Sequence, residues 1–235
     1  MDPHKIVSHG EWLEARRRLL AKERELTHRR DALARERREL PWERVEKRYV
    51  FEGPAGKETL AELFGPHGQL VVYHFMYGPE WEEPCKSCSF WADSFDRIGV
   101  HLAHRDVSFV AASRAPYAKL ETQQRRFGWT FTWVSSFGSD FNYDFDVSFR
   151  PEDLAKGPVA SPVRTEPVTI DEQVGVSVFA KDASGAIFHT YSTYNRGVDP
   201  LNAAYQYLDL VPKGRDENAL PYPMAWLRHR DRYEG

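Results

Sequence analysis

The chain has 235 residues, 41% hydrophobic and 29% charged, with a formal net charge of -3 and a pI near 6.3. That length buries a full core without a disulfide framework, and the balanced charge carries no sequence-wide footprint for nucleic acid or a membrane surface. The opening MDPHKIVSHGEW lacks the apolar run of a signal peptide, and LVVYHFMY is far too short to span a bilayer, so the sequence reads as cytoplasmic.

Residues 10–40 have no Pro, have no Gly after Gly10 and are rich in Leu, Ala, Glu and Arg, which predicts one long helix stopped by Pro41. Trp12, Leu19, Leu26, Leu33 and Leu40 recur every seven residues and form a narrow apolar stripe. The positions three or four after each are mostly charged, so the second seam of a coiled coil is missing. The stripe suits a helix lying on its own domain or on the mate in a homodimer, and the interleaved basic and acidic residues argue against a nucleic-acid arm.

From residue 47 the period changes. KRYVFEG alternates as a strand, with turn signals at Gly53, Pro54 and Gly56, and LAELFG reads as a short helical turn. QLVVYHFMY, residues 69–77, is nearly continuous in apolar residues and predicts a strand buried on both faces. Then comes GPEWEEPCKSCSFWADSF, with both cysteines of the chain, followed by Phe90, Trp91, Phe95, Ile98 and Leu102 at helical spacings. Cys85 and Cys88 therefore fall at the start of a helix. DVSFVAAS reads as another buried strand, and APYAKLETQQRRFG as a helix closed by Gly128. Beyond FTWVSSFGSDFNYDFDVSF, a Pro-punctuated stretch from Pro151 to Pro167 reads as a surface excursion. VGVSVFAKDASGAIFHTYS is a hairpin turning around Ala183, Ser184 and Gly185, and VDPLNAAYQYLDL supplies a last helix.

In SDFNYDFDV, Asp140, Asn142, Asp144 and Asp146 alternate like oxygen ligands, but the glycine turn and distal Glu of an EF-hand are missing. Phe141, Tyr143, Phe145 and Val147 on the other parity predict an extended segment with one buried side. In the tail LPYPMAWLRHRDRYEG, Trp226 and Leu227 are expected to dock, leaving Arg228, His229 and Arg230 in solvent or at a dimer contact.

A cysteine at a helix N-terminus meets unpaired N–H groups and the positive end of the helix dipole, so its thiolate is favoured. Cys85 is thereby the candidate nucleophile, and Cys88, one turn on, the candidate resolving thiol. Lys86 favours the thiolate while Glu80, Glu82 and Glu83 oppose it. A closed zinc site needs four ligands, and with no second cysteine pair it must recruit His74 and His189, which both lie in alternating apolar segments. No metal or other cofactor is implied. Tyr77, Trp81 and Pro84, just ahead of Cys85, are candidate substrate contacts, and Trp91, Trp129, Trp133 and Tyr143 add to an aromatic density suited to walling a pocket.

The order strand, Cys-x-x-Cys helix, strand, helix, strand, insertion, hairpin, helix resembles the thioredoxin fold. CKSCSFWAD, RDVSFVAASRAP, GWTFTWVSSFGSDFNYDF, GVSVFAKD, FHTYSTY and YLDLVPKGRDE together resemble a thioredoxin-like family of predicted dithiol-disulfide oxidoreductases catalogued as a domain of unknown function. The resemblance implies an α/β mixed sheet of thioredoxin-like, peroxiredoxin type flanked by helices. It divides the chain into an N-terminal extension at 1–44, a domain at 45–210 with an insertion around 137–170, and a tail at 211–235. It implies a disulfide-containing or small thiol substrate and a separate electron donor. FMYGPEWEEPC also resembles the peroxiredoxin loop, without its hydroxyl residue, which makes a thiol peroxidase the alternative. A metal carrier of thioredoxin fold, for copper or zinc, is the alternative of another class. Where thioredoxins place a cis-proline ahead of the hairpin, this chain has Gly175 and Val176, whose backbone is the expected partner of a substrate strand.

Overall fold

The computed structural model describes residues 4–164 and 166–234. Two compact units divide the chain, Met1–Pro41 and Trp42–Gly235. The first is the helix α1 (His9–Arg38). It is closed at its start by a capping box, in which the Ser8 hydroxyl accepts from the Glu11 N–H and the Glu11 carboxylate accepts from the Ser8 N–H.

The second unit is built on one eight-stranded sheet. Its elements are β1 (Glu43–Arg44), β2 (Val50–Gly53), β3 (Gly56–Thr59), β4 (Gln69–His74), α2 (Lys86–Phe95), α3 (Gly99–Ala103), β5 (Val107–Ser113), α4 (Tyr117–Phe127), β6 (Thr132–Ser135), α5 (Phe141–Asp144), α6 (Pro151–Leu154), β7 (Gly175–Lys181), β8 (Ile187–Tyr194) and α7 (Ala203–Leu208). The strand order is β1-β8-β7-β4-β5-β6-β2-β3, with β4, β5 and β6 parallel, β7 antiparallel to β4, and β8 antiparallel to β7. A parallel β4–β5 pair joined through a Cys-x-x-Cys helix, with an antiparallel hairpin on the other side of β4, is the thioredoxin-like arrangement. Strand β1 pairs with β8 and so belongs to the sheet, although its residues fall inside the stretch assigned by sequence to the N-terminal extension. The tail at 211–235 likewise belongs to this second unit.

Strand β4 is buried on both faces, as its composition requires. Tyr73, Phe75 and Tyr77 point into a core shared with Cys88, Trp91 and Phe95 of α2, Leu120 and Phe127 of α4, and Trp133. Leu70 and Val72 point into the opposite core, with Phe51, Phe64, Phe141, Phe145 and Phe179. The period of two along a strand makes this division, and it fixes which neighbours of β4 can meet the cysteines.

Residues 140–148 correct the extended reading. Phe141 and Phe145 pack together from the one-turn helix α5, ring centroids 4.7 Å apart. A spacing of four satisfies both a strand parity and a helical face, and burial of the two rings decides for the helix. The carboxylates of Asp140 and Asp144 accept hydrogen bonds from the Lys47 ammonium at 2.8 and 2.7 Å. The excursion after α6 is tied back by Glu172, which is buried and takes a hydrogen bond from the Ser148 hydroxyl at 2.9 Å.

Candidate active site

Beyond β4 the chain leaves the sheet at Met76, whose carbonyl accepts from the Cys85 N–H at 3.1 Å, and the intervening loop is held at several points. The Tyr77 hydroxyl donates to the Glu82 carbonyl (3.2 Å), and the Lys119 ammonium to the carbonyls of Pro79 (2.7 Å) and Trp81 (3.1 Å). His229, from the tail, donates through Nε2 to the Pro84 carbonyl at 3.0 Å. Glu83 is matched by Arg126 and Arg232, each at 2.9 Å, so its charge is spent on the loop's own clamps. Cys85 is thereby placed at the N-cap of α2.

The two sulfurs differ. Cys85 is half-buried, whereas Cys88 is 1% exposed. Hydrogen bonding from the Cys88 thiol, joined by the N–H groups of Cys88 and Ser87 and the Ser87 hydroxyl, outweighs burial and lowers the Cys85 thiol to about 6. Burial pushes the Cys88 thiol well above the ordinary range, against a hydrogen bond from the Met76 N–H at 3.4 Å. The first sulfur is thus held as a thiolate and the second as a thiol. Between about 6 and the ordinary thiol range the unfolded chain carries a proton at Cys85 that the folded chain does not. That contribution to stability is complete above the ordinary thiol range and is lost as pH falls through about 6.

A cavity of about 320 Å³ opens beside the pair, walled by Tyr73, Met76, Trp91, Val174, Val198 and Met224 around Cys85 and Cys88. The Trp91 indole N–H is fixed on the Val198 carbonyl at 3.0 Å. Inside, the buried Tyr73 hydroxyl has no hydrogen-bond partner of good geometry, and the groups that act on it electrostatically are the Cys88 and Cys85 sulfurs.

Of the candidate substrate contacts, Tyr77, Trp81 and Pro84 are placed in the loop's scaffold, outside the lining of this cavity. The expectation that the backbone of Gly175 and Val176 is open to a substrate strand is corrected. Both residues are paired on one side with β4 (His74 and Tyr73) and on the other with β8 (Tyr194 and Thr193). Their neighbour Val174 reaches the cavity instead.

The histidines are not assembled with the cysteines. His74 follows Tyr73 on β4 and projects to the opposite face, tilted against Phe141 and stacked on Phe145. Burial lowers its pKa to about 3, so it is neutral, and it shares a hydrogen bond with the Ser177 hydroxyl at 2.8 Å. Ser177, Ser192 and His189 continue the chain at 2.8 and 2.7 Å. Among the described residues no group of three or more His, Cys, Asp or Glu could hold a metal ion.

The tail is the part of the site that sequence reasoning missed. His229 is 2% exposed, which corrects its expected place in solvent or at a dimer contact, and Arg230 pairs with Asp93 at 2.9 Å. Glu217 accepts from the Tyr205 hydroxyl (2.9 Å), the Met224 N–H (3.0 Å) and the Trp226 indole (2.7 Å), which sets Met224 against the cavity. The available signal was complementary charge, basic residues in RHRDR facing Glu83 and Asp93.

The family model of bacterial proteins of unknown function named DUF899 matches residues 1–233. The chain belongs to that family. No curated protein matches it. Solved structures of similar shape include Xanthomonas campestris peroxiredoxin Q, with 15% identity, 66% of this chain and 85% of that one covered, and a TM-score of 0.45. Mycobacterium tuberculosis peroxidoxin BcpB has 13% identity, coverage of 72% and 97%, and a TM-score of 0.45. The mitochondrial 2-Cys peroxiredoxin of Plasmodium falciparum has 11% identity, coverage of 72% and 94%, and a TM-score of 0.41. In this DUF899 protein no helix among the described residues is long and apolar enough to cross a membrane.

Proposed function

We propose that this DUF899 protein is a thiol–disulfide oxidoreductase in which Cys85 and Cys88 cycle between dithiol and disulfide. The observation that carries the reading is the asymmetry of the pair, a half-buried stabilised thiolate at the mouth of an open cavity with a buried thiol behind it. The Cys85 thiolate attacks a substrate disulfide, forming a mixed disulfide and releasing the first substrate thiolate. Cys88 then attacks the Cys85 sulfur, its proton passing to the departing second thiolate, and the enzyme disulfide remains. An external dithiol restores the reduced pair.

A thiol peroxidase is the second reading, and the buried Tyr73 hydroxyl supports it, since a peroxidase needs a donor on its departing oxygen. That hydroxyl is coupled to Cys88 more strongly than to Cys85, and the loop ahead of Cys85 offers Glu82, Glu83 and Pro84. Disulfide exchange, which needs only a thiolate, access and a resolving thiol, fits better. Stopped-flow Trp fluorescence of the reduced protein at neutral pH is expected to show a low-molecular-weight disulfide reacting at least roughly tenfold faster than hydrogen peroxide at equal concentration. Rapid peroxide turnover sustained by a dithiol donor, with sluggish disulfide exchange, would install the peroxidase in its place.

A further inference from the structure

We infer that the cavity beside Cys85 is a specificity pocket for a low-molecular-weight disulfide bearing an apolar substituent, and that polypeptide disulfides are poor substrates. This rests on the thiol–disulfide reading above and adds the substrate class.

Three remote segments converge to make the wall. Tyr73 and Met76 come from β4 and its continuation, Val174 and Val198 from the two ends of the hairpin region, and Met224 from the tail. Met224 is fixed there at a cost, since its backbone stands at φ 69°, which few side-chain-bearing residues adopt, while its N–H is bonded to Glu217 at 3.0 Å. A volume of about 320 Å³ sits at the small end of the range for small-molecule pockets. Inside, the Tyr73 hydroxyl is the buried polar atom left without a partner of good geometry. At the rim the Asp199 carboxylate is shared by Arg196 and Arg215, each at 3.1 Å, so its charge is spent on neighbouring guanidinium groups. An apolar group is the occupant such a wall rewards, with the reacting sulfur lying over Cys85.

A polypeptide is commonly bound by adding a strand to an open sheet edge. In this sheet the edges are β1 and β3, at the two ends of the strand order, while β7 beside the site is interior. The chemistry balances without a further group. Cys85 bonds to the sulfur whose substituent occupies the cavity, the substrate S–S bond breaks, and the other half leaves as a thiolate. Cys88 then attacks the Cys85 sulfur, the Cys85–substrate bond breaks, and the half in the cavity leaves as a thiol carrying the Cys88 proton, two electrons having passed to the substrate; an external dithiol reduces the enzyme disulfide.

The test uses the reduced full-length protein with dipropyl disulfide, bis(2-hydroxyethyl) disulfide and oxidised insulin. Each rate is divided by that of the same disulfide with a free small thiolate, which removes leaving-group differences. The normalised rate for dipropyl disulfide is expected to exceed that for the hydroxyethyl compound at least about tenfold, the discrimination expected when a terminal methyl is exchanged for a hydroxyl in an apolar pocket, and insulin is expected to be slowest. Val174→Arg and Met224→Arg are expected to bring the ratio to about one to two. A wild-type ratio near one, or insulin reacting fastest, overturns the inference while leaving the oxidoreductase reading in place. No reaction with any disulfide, with Cys85 still labelled by iodoacetamide, overturns both.

Discussion

Cys85→Ser is expected to lower the rate of reaction with any small disulfide by at least about 10³-fold, because it removes the atom that forms the first bond. Cys88→Ser is expected to act differently. Its Cys85 retains the N–H groups of residues 87 and 88 and the Ser87 hydroxyl, so the first step persists and the mixed disulfide accumulates for want of a resolving thiol. The Cys88 thiol is the foremost contact holding the Cys85 thiolate, and the serine hydroxyl in its place can still donate. Intact mass spectrometry after mixing with a small disulfide reads the missing adduct in the first variant and the accumulated one in the second. Equal loss in the two variants, with no adduct on Cys88→Ser, would mean that the sulfurs do not divide the work in this order.

Leu227→Ala should cost about 2–5 kcal/mol of stability, the range for a fully buried leucine whose side chain leaves a cavity. Leu227 is 0% exposed and stands two residues before His229, whose imidazole holds the Pro84 carbonyl. Loosening it frees the clamps on Glu83 and Pro84, so faster labelling of Cys88 should accompany the loss. Urea denaturation of the reduced protein measures the first effect, and thiol labelling in native buffer the second. A loss under about 1 kcal/mol would show that the tail contributes no packing to the domain.

How much of this was legible in the sequence follows from how locally each feature is encoded. The strand before the motif, the helix that begins at the cysteines and the hairpin are written in contiguous residues, and the structure places them at Gln69–His74, Lys86–Phe95 and Gly175–Tyr194. The helix at 141–144 was not legible, because Phe141 and Phe145 satisfy strand and helix alike. The cavity was hidden for another reason. Tyr73 sits in a plain apolar run, and only the fold brings it to Cys88 together with Val174, Val198 and Met224, which are scattered along the later chain. The tail's basic residues look solvated until Glu83 and Asp93 are known to stand opposite them. Gly175 and Val176 failed as a substrate edge because sequence tells that a strand exists without telling that both of its sides are taken.

The pair's division of labour is tested most directly by pulsed alkylation of the reduced protein across pH, with each cysteine quantified by peptide mass spectrometry. Labelling of Cys85 is expected to precede that of Cys88 and to rise through an apparent pKa of about 6, since the folded thiol lies below its free value, while Cys88 stays unlabelled through neutral pH. Faster labelling of Cys88, or a Cys85 profile centred at the ordinary thiol value, would contradict the assignment of Cys85 as the nucleophile.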